Sequence, residues 1–107
     1  MRAITAKAIA AFDAGVPFYL DNTEVRIVQR PCEACVELLL FDNAIARRWV
    51  PTITDDPPVL EISTAGWDTS TTRDRLNGIA GVSVGRRAGD LYLNGETWDG
   101  KWTEVRA

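Results

Sequence analysis

The stretch LEISTAGWDTSTTRDRLNG, residues 60–78, decides the fold of this chain because it predicts a strand, a tight turn and a helix in direct succession. Leu60 and Ile62 alternate with polar residues, a pattern typical of a strand with one buried face. Short side chains with oxygen atoms follow at residues 68–72. Such side chains accept hydrogen bonds from the unpaired N–H groups at the start of a helix. A strand that turns directly into a helix is therefore expected here.

Three expectations within this stretch concern single residues. Thr71 and Asp74 have the spacing of a capping box. Gly78 is expected to be the left-handed residue that commonly ends a helix, so a β-branched residue there would destabilise the fold. Trp67 is expected to pack over the core beside the helix, because an indole buries a large apolar area.

The same stretch also carries a resemblance. The run STAGWDTSTTRDRLNGI, followed by GDLYLNGETWDGKW at residues 89–102, resembles a family of small proteins from tailed phages and related mobile elements. That family pairs a strand ending in Ser-x-Gly-Trp, where this chain has one residue more between Ser63 and Gly66, with a Thr-Thr-x-x-Arg-Leu-Asn helix and a closing hairpin. The opening ITAKAIAAFDAGVPFYLDNTEV is similar to its start, and residues 30–58 depart from it. The resemblance implies a phage or plasmid accessory protein and assigns a role to no residue.

Length and composition narrow the class of protein. A chain of 107 residues with 46% hydrophobic residues predicts one globular domain, residues 1–107. Its net charge of −3 argues against a general binder of nucleic-acid backbones, but it leaves room for a local basic patch. No apolar run approaches the roughly 20 residues of a membrane span, and the N-terminus lacks a signal-peptide pattern. We therefore expect a protein of the host cytoplasm, as a monomer or homodimer.

The first half of the chain predicts one helix and then a meander of strands. Residues 4–15 have the helical pattern, with Thr5 as the expected cap. Residues 36–41 are apolar except for Glu37, which predicts a central strand buried on both faces. Asp42 and Asn43 predict the two-residue turn that follows, because both residue types tolerate positive φ.

The second half predicts further hairpins. Gly89 with Asp90 predicts one turn, and Asn94 with Gly95 is the strongest short hairpin signal in the sequence. The predicted order is α-β-β-β-β-α-β-β-β, an α+β domain with a mostly antiparallel sheet.

Residues that could carry chemistry are few. Cys32 and Cys35 are the two cysteines of a chain without histidine. A single Cys-x-x-Cys cannot supply the four ligands of a structural zinc site, so we interpret the pair as part of a hairpin turn. A zinc shared across a dimer and a thioredoxin-like role are the alternatives. No serine or threonine has an evident activating base. We expect no enzyme activity, no metal and no cofactor.

A basic cluster is the first candidate binding site. Arg73 and Arg75 lie on the predicted second helix, and Arg86 and Arg87 lie on the strand after it. Arginines beside threonine hydroxyls and a helix start are able to hold phosphate. In the competing interpretation, the helical pair forms salt bridges with neighbouring aspartates on a solvated helix face.

Aromatic residues are the second candidate. Trp98 is expected in the core with Trp67, whereas Trp49 and Trp102 would mark a protein-binding patch if either is exposed beside Tyr92. We favour a phage or mobile-element accessory protein that binds another protein without catalysis, such as an anti-CRISPR-like inhibitor of host defence. The alternative is a nucleic-acid-binding or regulatory module that uses the arginine cluster. A small enzyme is the third hypothesis, and it would need a concave pocket with convergent polar groups.

Overall fold

A computed structural model describes residues 2–106 and has an α+β fold. Within this part of the chain, two helices and nine strands alternate in the order α1 (Ala3–Ala14), β1 (Phe18–Leu20), β2 (Thr23–Gln29), β3 (Glu33–Leu40), β4 (Asn43–Pro51), β5 (Val59–Ile62), α2 (Ser70–Asn77), β6 (Val84–Arg87), β7 (Asp90–Leu93), β8 (Glu96–Thr97) and β9 (Thr103–Val105). The predicted α+β class is confirmed. The order has two more strands than the predicted one, one on each side of α2.

The strands form two antiparallel sheets. The larger has the order β1-β2-β3-β4-β5-β9, and β6, β7 and β8 form a small second sheet. In β3, Leu38 and its neighbour Leu39 are both buried, although consecutive strand residues point to opposite faces. The prediction of a central strand buried on both faces is thereby confirmed. The strand ends at Leu40, so Phe41 lies in the turn that follows.

Helix α1 covers one face of the large sheet. Ala8 and Phe12 on its inner side are fully buried, and Gly15 ends the helix in the left-handed conformation, with φ of 67°. The prediction that Thr5 caps this helix is wrong. Arg2 is the capping residue and makes no side-chain cap, whereas Thr5 is buried inside the first turns. Its hydroxyl is used for a contact with α2 instead.

Helix α2 begins in the predicted segment but with a different cap. Thr69 is the N-cap, and its side chain accepts a hydrogen bond from the N–H of Thr72 at 3.1 Å. The capping box predicted at Thr71 and Asp74 is wrong. The Asp74 carboxylate accepts a hydrogen bond from Thr5 of α1, so it joins two helices rather than closing the end of one.

Gly78 is required for a reason other than the predicted one. Its φ of −73° and ψ of −19° are right-handed, so the prediction of a left-handed residue here is wrong. A Cβ at this position would lie 2.7 Å from Cγ1 of Ile9 and 2.9 Å from Cγ2 of Thr5. The missing side chain therefore lets α2 end directly against α1.

Three hairpins share one type of turn. Residues 41–42, 88–89 and 94–95 each have positive φ at both positions, as a type I′ turn requires. The Asn-Gly pair at residues 94–95 was predicted and is confirmed. The other two turns were predicted one residue too late, at 42–43 and 89–90.

Two asparagine side chains, one at the end of α2 and one in the turn of the small sheet, hold the segment that links α2 to β6. Asn77 donates from Nδ2 to the carbonyl oxygen of Val84 at 2.9 Å, and its Oδ1 accepts from the N–H of Val84 at 2.6 Å. Asn94 acts in the same way, with Nδ2 donating to the carbonyl oxygen of Gly81 and Oδ1 accepting from the N–H of Ser83. The chain between α2 and β6 is therefore held by asparagine side chains, which donate to backbone carbonyls and accept from backbone N–H groups as a neighbouring strand would.

Candidate binding surface

Arg75 is not on the surface, although the sequence placed it in a basic cluster. Its side chain is 2% exposed. The guanidinium donates to Oγ1 of Thr23 at 3.0 Å, to Oγ1 of Thr5 at 2.7 Å and to Oδ2 of Asp74 at 2.9 Å. The expectation of a solvated helix face is therefore wrong for this residue, although the predicted pairing with an aspartate is present. Arg75 connects α1, β2 and α2 inside the protein.

Arg73 and Arg86 do come together, but around a carboxylate. Nη1 of Arg73 lies 2.8 Å from Oδ1 of Asp68, and Nη1 of Arg86 lies 2.9 Å from Oδ2. The second contact is an ion pair without hydrogen-bond alignment, since Oδ2 is buried and has no hydrogen-bond partner among the described residues. Asp68 therefore offsets part of the positive charge of this cluster.

Arg87 and Tyr92 lie together on the small sheet. The guanidinium carbon of Arg87 is 5.8 Å from the centre of the Tyr92 ring, within the range of a cation–π contact. These two residues and Arg86 line an open depression of about 230 Å³. Of the four arginines in the predicted basic cluster, Arg86 and Arg87 line this depression.

Trp49 and Trp102 lie on the face of the large sheet opposite α1. Arg48 donates to the carbonyl oxygen of Phe12 in α1, so its strand neighbour Trp49 points the other way. The indole N–H of Trp49 donates to Oε1 of Glu61 at 2.6 Å. Trp102 is 38% exposed, and the guanidinium carbon of Arg47 in β4 lies 4.1 Å from the centre of its ring.

The remaining two tryptophans differ from each other. Trp98 packs against the core, as predicted, and its indole N–H donates to Oγ1 of Thr103 at 2.8 Å. Trp67 was also predicted to cover the core, but it is 65% exposed, so that prediction is wrong. The turn at Ala65 and Gly66 rotates the chain outward before the indole.

A cavity of about 460 Å³ lies where Trp67 approaches the turn between β3 and β4. Its apolar lining comes from Leu40, Phe41, Ile45, Ala65 and Trp67. Three threonines and Asn43 complete the wall. The two aromatic side chains at its rim are 66% and 65% exposed, an unusual arrangement for the largest apolar residue types. We call this the Phe41–Trp67 cavity.

The backbone that presents Trp67 is firmly held. The N–H of Trp67 donates to the carbonyl oxygen of Thr64 at 2.9 Å, and its own carbonyl accepts from the N–H of Thr69 at 3.1 Å. Thr64 is buried and donates its N–H to the carbonyl oxygen of Gly100 at 2.8 Å. The backbone that carries the exposed indole is therefore held by hydrogen bonds, which limits the backbone entropy that binding would cost.

The backbone of Phe41 is also held on both sides, in a conformation that suits phenylalanine poorly. Its N–H donates to the carbonyl oxygen of Asn22 at 2.8 Å, and its carbonyl accepts from Nδ2 of Asn43 at 2.9 Å. Its φ is 49°, a region where bulky residues are rare and strained. Backbone strain of this kind persists where the surroundings impose it, and it is concentrated at functional sites.

A second, acidic cavity adjoins the first. Phe41 lines both, and the second measures about 330 Å³. Its remaining wall consists of Tyr19, Asp21, Asn22, Glu24 and Asp42. Among the described residues that line it, none is lysine or arginine. Tyr19 is 72% exposed, so three exposed aromatic residues line the two cavities that share Phe41.

The family assignment follows from a comparison with protein-family models. The model described as Kyanoviridae Gp96 protein matches residues 1–105. The chain belongs to this phage protein family. The match covers nearly the whole sequence and agrees with the phage setting that the resemblance implied. No curated protein and no solved structure gave a significant match.

Sequence reasoning about this Gp96 family member missed the aromatic residues of the surface, Tyr19, Phe41 and Trp67. Phe41 continued an apolar run and was included in a buried strand. The sequence did contain a signal. If the two-residue turn lies directly before Asn43, it comprises residues 41 and 42, and Phe41 then occupies the first turn position, where asparagine or glycine is usual. The exposure of Trp67 depends on the contact of Thr64 with Gly100, which is distant in sequence.

The cysteines of this family member lie at the hairpin between β2 and β3, as interpreted from the sequence. Cys32 is exposed and Cys35 is buried on β3, and both are free thiols. Burial raises the pKa of Cys35, with the Glu37 carboxylate adding to the effect. A raised pKa leaves less of the thiolate that redox exchange requires.

The part of the chain at residues 2–106 has no group of three or more His, Cys, Asp or Glu side chains arranged to hold a metal ion. Neither of its helices combines the length and the apolar character needed to cross a membrane.

Proposed function

We propose that this phage accessory protein acts by binding another protein, without catalysis, and that the Phe41–Trp67 cavity is the contact surface. The observation that carries the proposal is the pair of exposed aromatic rims on hydrogen-bonded turns around an apolar cavity. Aromatic side chains dominate the binding energy of protein interfaces. A rim whose backbone is already hydrogen-bonded has less backbone entropy to lose on contact.

The strain at Phe41 supports the same proposal. An asparagine would fit the turn better, and the equivalent turn at residues 94–95 has one. A phenylalanine that is costly to the fold and exposed to solvent contributes little to stability. A local conflict of this kind between residue type and backbone is typical of functional sites, such as a contact with another molecule.

The partner that we propose is a host protein in the cytoplasm of the infected cell. Membership of a phage family supplies the setting. An inhibitor of a host defence component, of the anti-CRISPR kind, is the specific form of this proposal. It is supported by the small size of the chain and by its lack of evident catalytic groups, not by any residue that identifies a target.

Nucleic-acid binding through the arginine cluster is the second candidate, and the geometry favours it less. Arg75 is occupied inside the protein, and Arg73 and Arg86 share Asp68. Arg87 beside Tyr92 is the member of the cluster best placed to meet a phosphate. One arginine with a neighbouring aromatic ring makes a small footprint for a chain of net charge −3.

The test is affinity capture from host lysate with and without nuclease, comparing tagged variants. We expect the wild-type protein to recover a stoichiometric partner that survives nuclease, and Phe41→Ser combined with Trp67→Ser to lose it. Ile53→Ser is the matched control, because Ile53 is 70% exposed on a loop outside the cavity. Trp102→Ser tests the patch predicted from sequence.

Two results would contradict the proposal. One is equal recovery of the partner by the wild-type protein and the Phe41→Ser/Trp67→Ser variant. The other is recovery that disappears with nuclease and with Arg87→Ser, which would support the nucleic-acid alternative.

A further inference from the structure

The Phe41–Trp67 cavity and the acidic cavity form one composite surface, because a single side chain, Phe41, is part of both walls. One side of Phe41 is apolar and the other is lined by carboxylates. Any segment that occupies both sides must change its chemistry from apolar to basic over a short distance. The chemistry of the surface therefore constrains the partner more closely than exposed aromatic residues alone would.

The apolar side has room for a bulky apolar side chain. Its volume of about 460 Å³ lies within the range of about 300–1,000 Å³ that is typical of ligand sites in proteins. The hydroxyls in its wall are already engaged, since Thr69 accepts from the N–H of Thr72 and the two Oγ1 atoms lie 3.0 Å apart. An apolar occupant consequently leaves these two hydroxyls with their hydrogen bonds intact.

The acidic side suits a cation. Asp21, Glu24 and Asp42 supply three carboxylates to a wall whose described residues include no lysine or arginine. No salt bridge joins any of these three to another described residue within 4.0 Å. Opposite charges across an interface steer association and select the partner. The same carboxylates repel the phosphates of a nucleic acid, so stacked bases are a poor match for this surface.

We infer that the composite surface binds a protein segment in which a bulky apolar side chain lies next to a lysine or arginine. The apolar side chain enters the Phe41–Trp67 cavity, and the cation reaches Asp21, Glu24 and Asp42. Because Phe41 lines both cavities, we expect the two residues to be adjacent or within about three positions, roughly 10 Å of extended chain. This inference rests on the proposed protein-binding function and specifies the chemistry of the partner.

The experiment is selection of random dodecapeptides, displayed on phage particles, against the immobilised full-length protein. We expect enrichment of peptides with a bulky apolar residue within three positions of lysine or arginine. A synthetic copy of the most enriched peptide is then titrated against each variant. Phe41→Ser should remove binding. Asp21→Asn combined with Asp42→Asn should weaken it on the order of tenfold at low salt, because two attractive charges are lost.

The asparagine variant is chosen to keep the fold. Asp21 and Asp42 have φ of 58° and 66°, where asparagine is tolerated as well as aspartate. Asp55→Asn combined with Asp90→Asn is the matched control, because it changes the net charge equally at exposed positions outside the surface. This control should bind the peptide as the wild-type protein does. Selection on the Asp21→Asn/Asp42→Asn variant should retain the apolar preference and lose the basic one.

Several outcomes would overturn the inference. Apolar peptides with no basic preference, or an affinity equal in the Asp21→Asn/Asp42→Asn variant and the wild type, would remove it and leave the proposed function standing. Enrichment that does not depend on Phe41 would also remove it. Failure of both this selection and the Phe41-dependent capture of a host protein would remove the proposed function as well. Binding of labelled oligothymidylate that is lost with Phe41→Ser would replace it with a nucleic-acid partner.

Discussion

At the scale of single residues, Arg75 is far more buried than is usual for an arginine. An arginine on a short polar helix is ordinarily solvated. Here its guanidinium is 2% exposed and hydrogen-bonded to Thr5, Thr23 and Asp74. A buried cation with satisfied donors is tolerated, but removing it leaves several polar atoms without a partner.

Arg75→Met should therefore destabilise the protein strongly, by about 3 kcal/mol, because the acceptors around the guanidinium lose their donor and Asp74 loses its cation. Arg73→Met is the control, since it breaks a partly exposed ion pair worth about 1 kcal/mol or less. Urea denaturation of both variants measures the difference. Equal losses would mean that the buried network is not formed in solution.

Gly78→Ala should cost about 1–3 kcal/mol of unfolding free energy, because the new methyl group meets Ile9 and Thr5 at overpacked distances. The cause is separable from backbone strain by a double-mutant cycle. In an Ile9→Ala background, Gly78→Ala should cost less, since one of the two clashing side chains is gone. A cost that is unchanged by Ile9→Ala would point to the backbone instead.

At the scale of elements, the two helices are joined by side chains at their ends. Thr5 of α1 donates to Asp74 of α2, and Arg75 donates to both. Burial favours the neutral form of Asp74, but the hydrogen bond from Thr5 and the charges of Arg2 and Arg75 outweigh it, so the pKa of Asp74 is lowered. The junction between α1 and α2 is therefore sensitive to acid.

The sign of the pH dependence follows from this lowered pKa. Asp74 contributes stability above the ordinary aspartate pKa of about 3.9, and this contribution is lost as the pH falls through the lower value in the folded protein. We expect the stability difference between the wild-type protein and Asp74→Asn to be largest near pH 6 and to shrink below pH 4. Urea unfolding over this pH range measures it, and a constant difference would contradict the assignment.

The elements themselves were largely predictable, and their ends were not. The helical spacing of apolar residues identified α1, the capping side chains at residues 68–72 identified the start of α2, and the mostly apolar run at residues 36–41 identified the central strand. The turn at residues 41–42 was predicted one position late, because a phenylalanine with positive φ violates the local preference on which the prediction relied. Gly78 was misinterpreted because a glycine required by a close contact looks, in sequence, like one required by a left-handed turn.

At the scale of the whole molecule, exposed aromatic residues and carboxylates adjoin at one composite surface. Tryptophan, tyrosine and arginine residues were proposed from the sequence as a binding site, whereas the composite surface contains another tryptophan and another tyrosine, Trp67 and Tyr19, and no arginine among the described residues that line it. Exposure of Trp67 and burial of Arg75 depend on contacts between distant segments. A single sequence therefore led to the hypothesis of a binding protein, but the position of the composite surface required the structure.

The central claim is that Phe41 serves binding at the expense of the fold. The most direct measurement is the free energy of unfolding of Phe41→Asn, determined together with partner capture by the same preparation. Asparagine suits the first position of a type I′ turn, so stability should rise by about 0.5–1 kcal/mol. Capture should be lost.

Ala88→Asn is the matched control, because Ala88 occupies the same turn position with φ of 53° outside the composite surface. It should raise stability by a similar amount and leave capture unchanged. A Phe41→Asn variant that is more stable but no longer captures the partner is the predicted result. A variant that captures the partner normally, or that unfolds more easily than the wild-type protein, would contradict the claim.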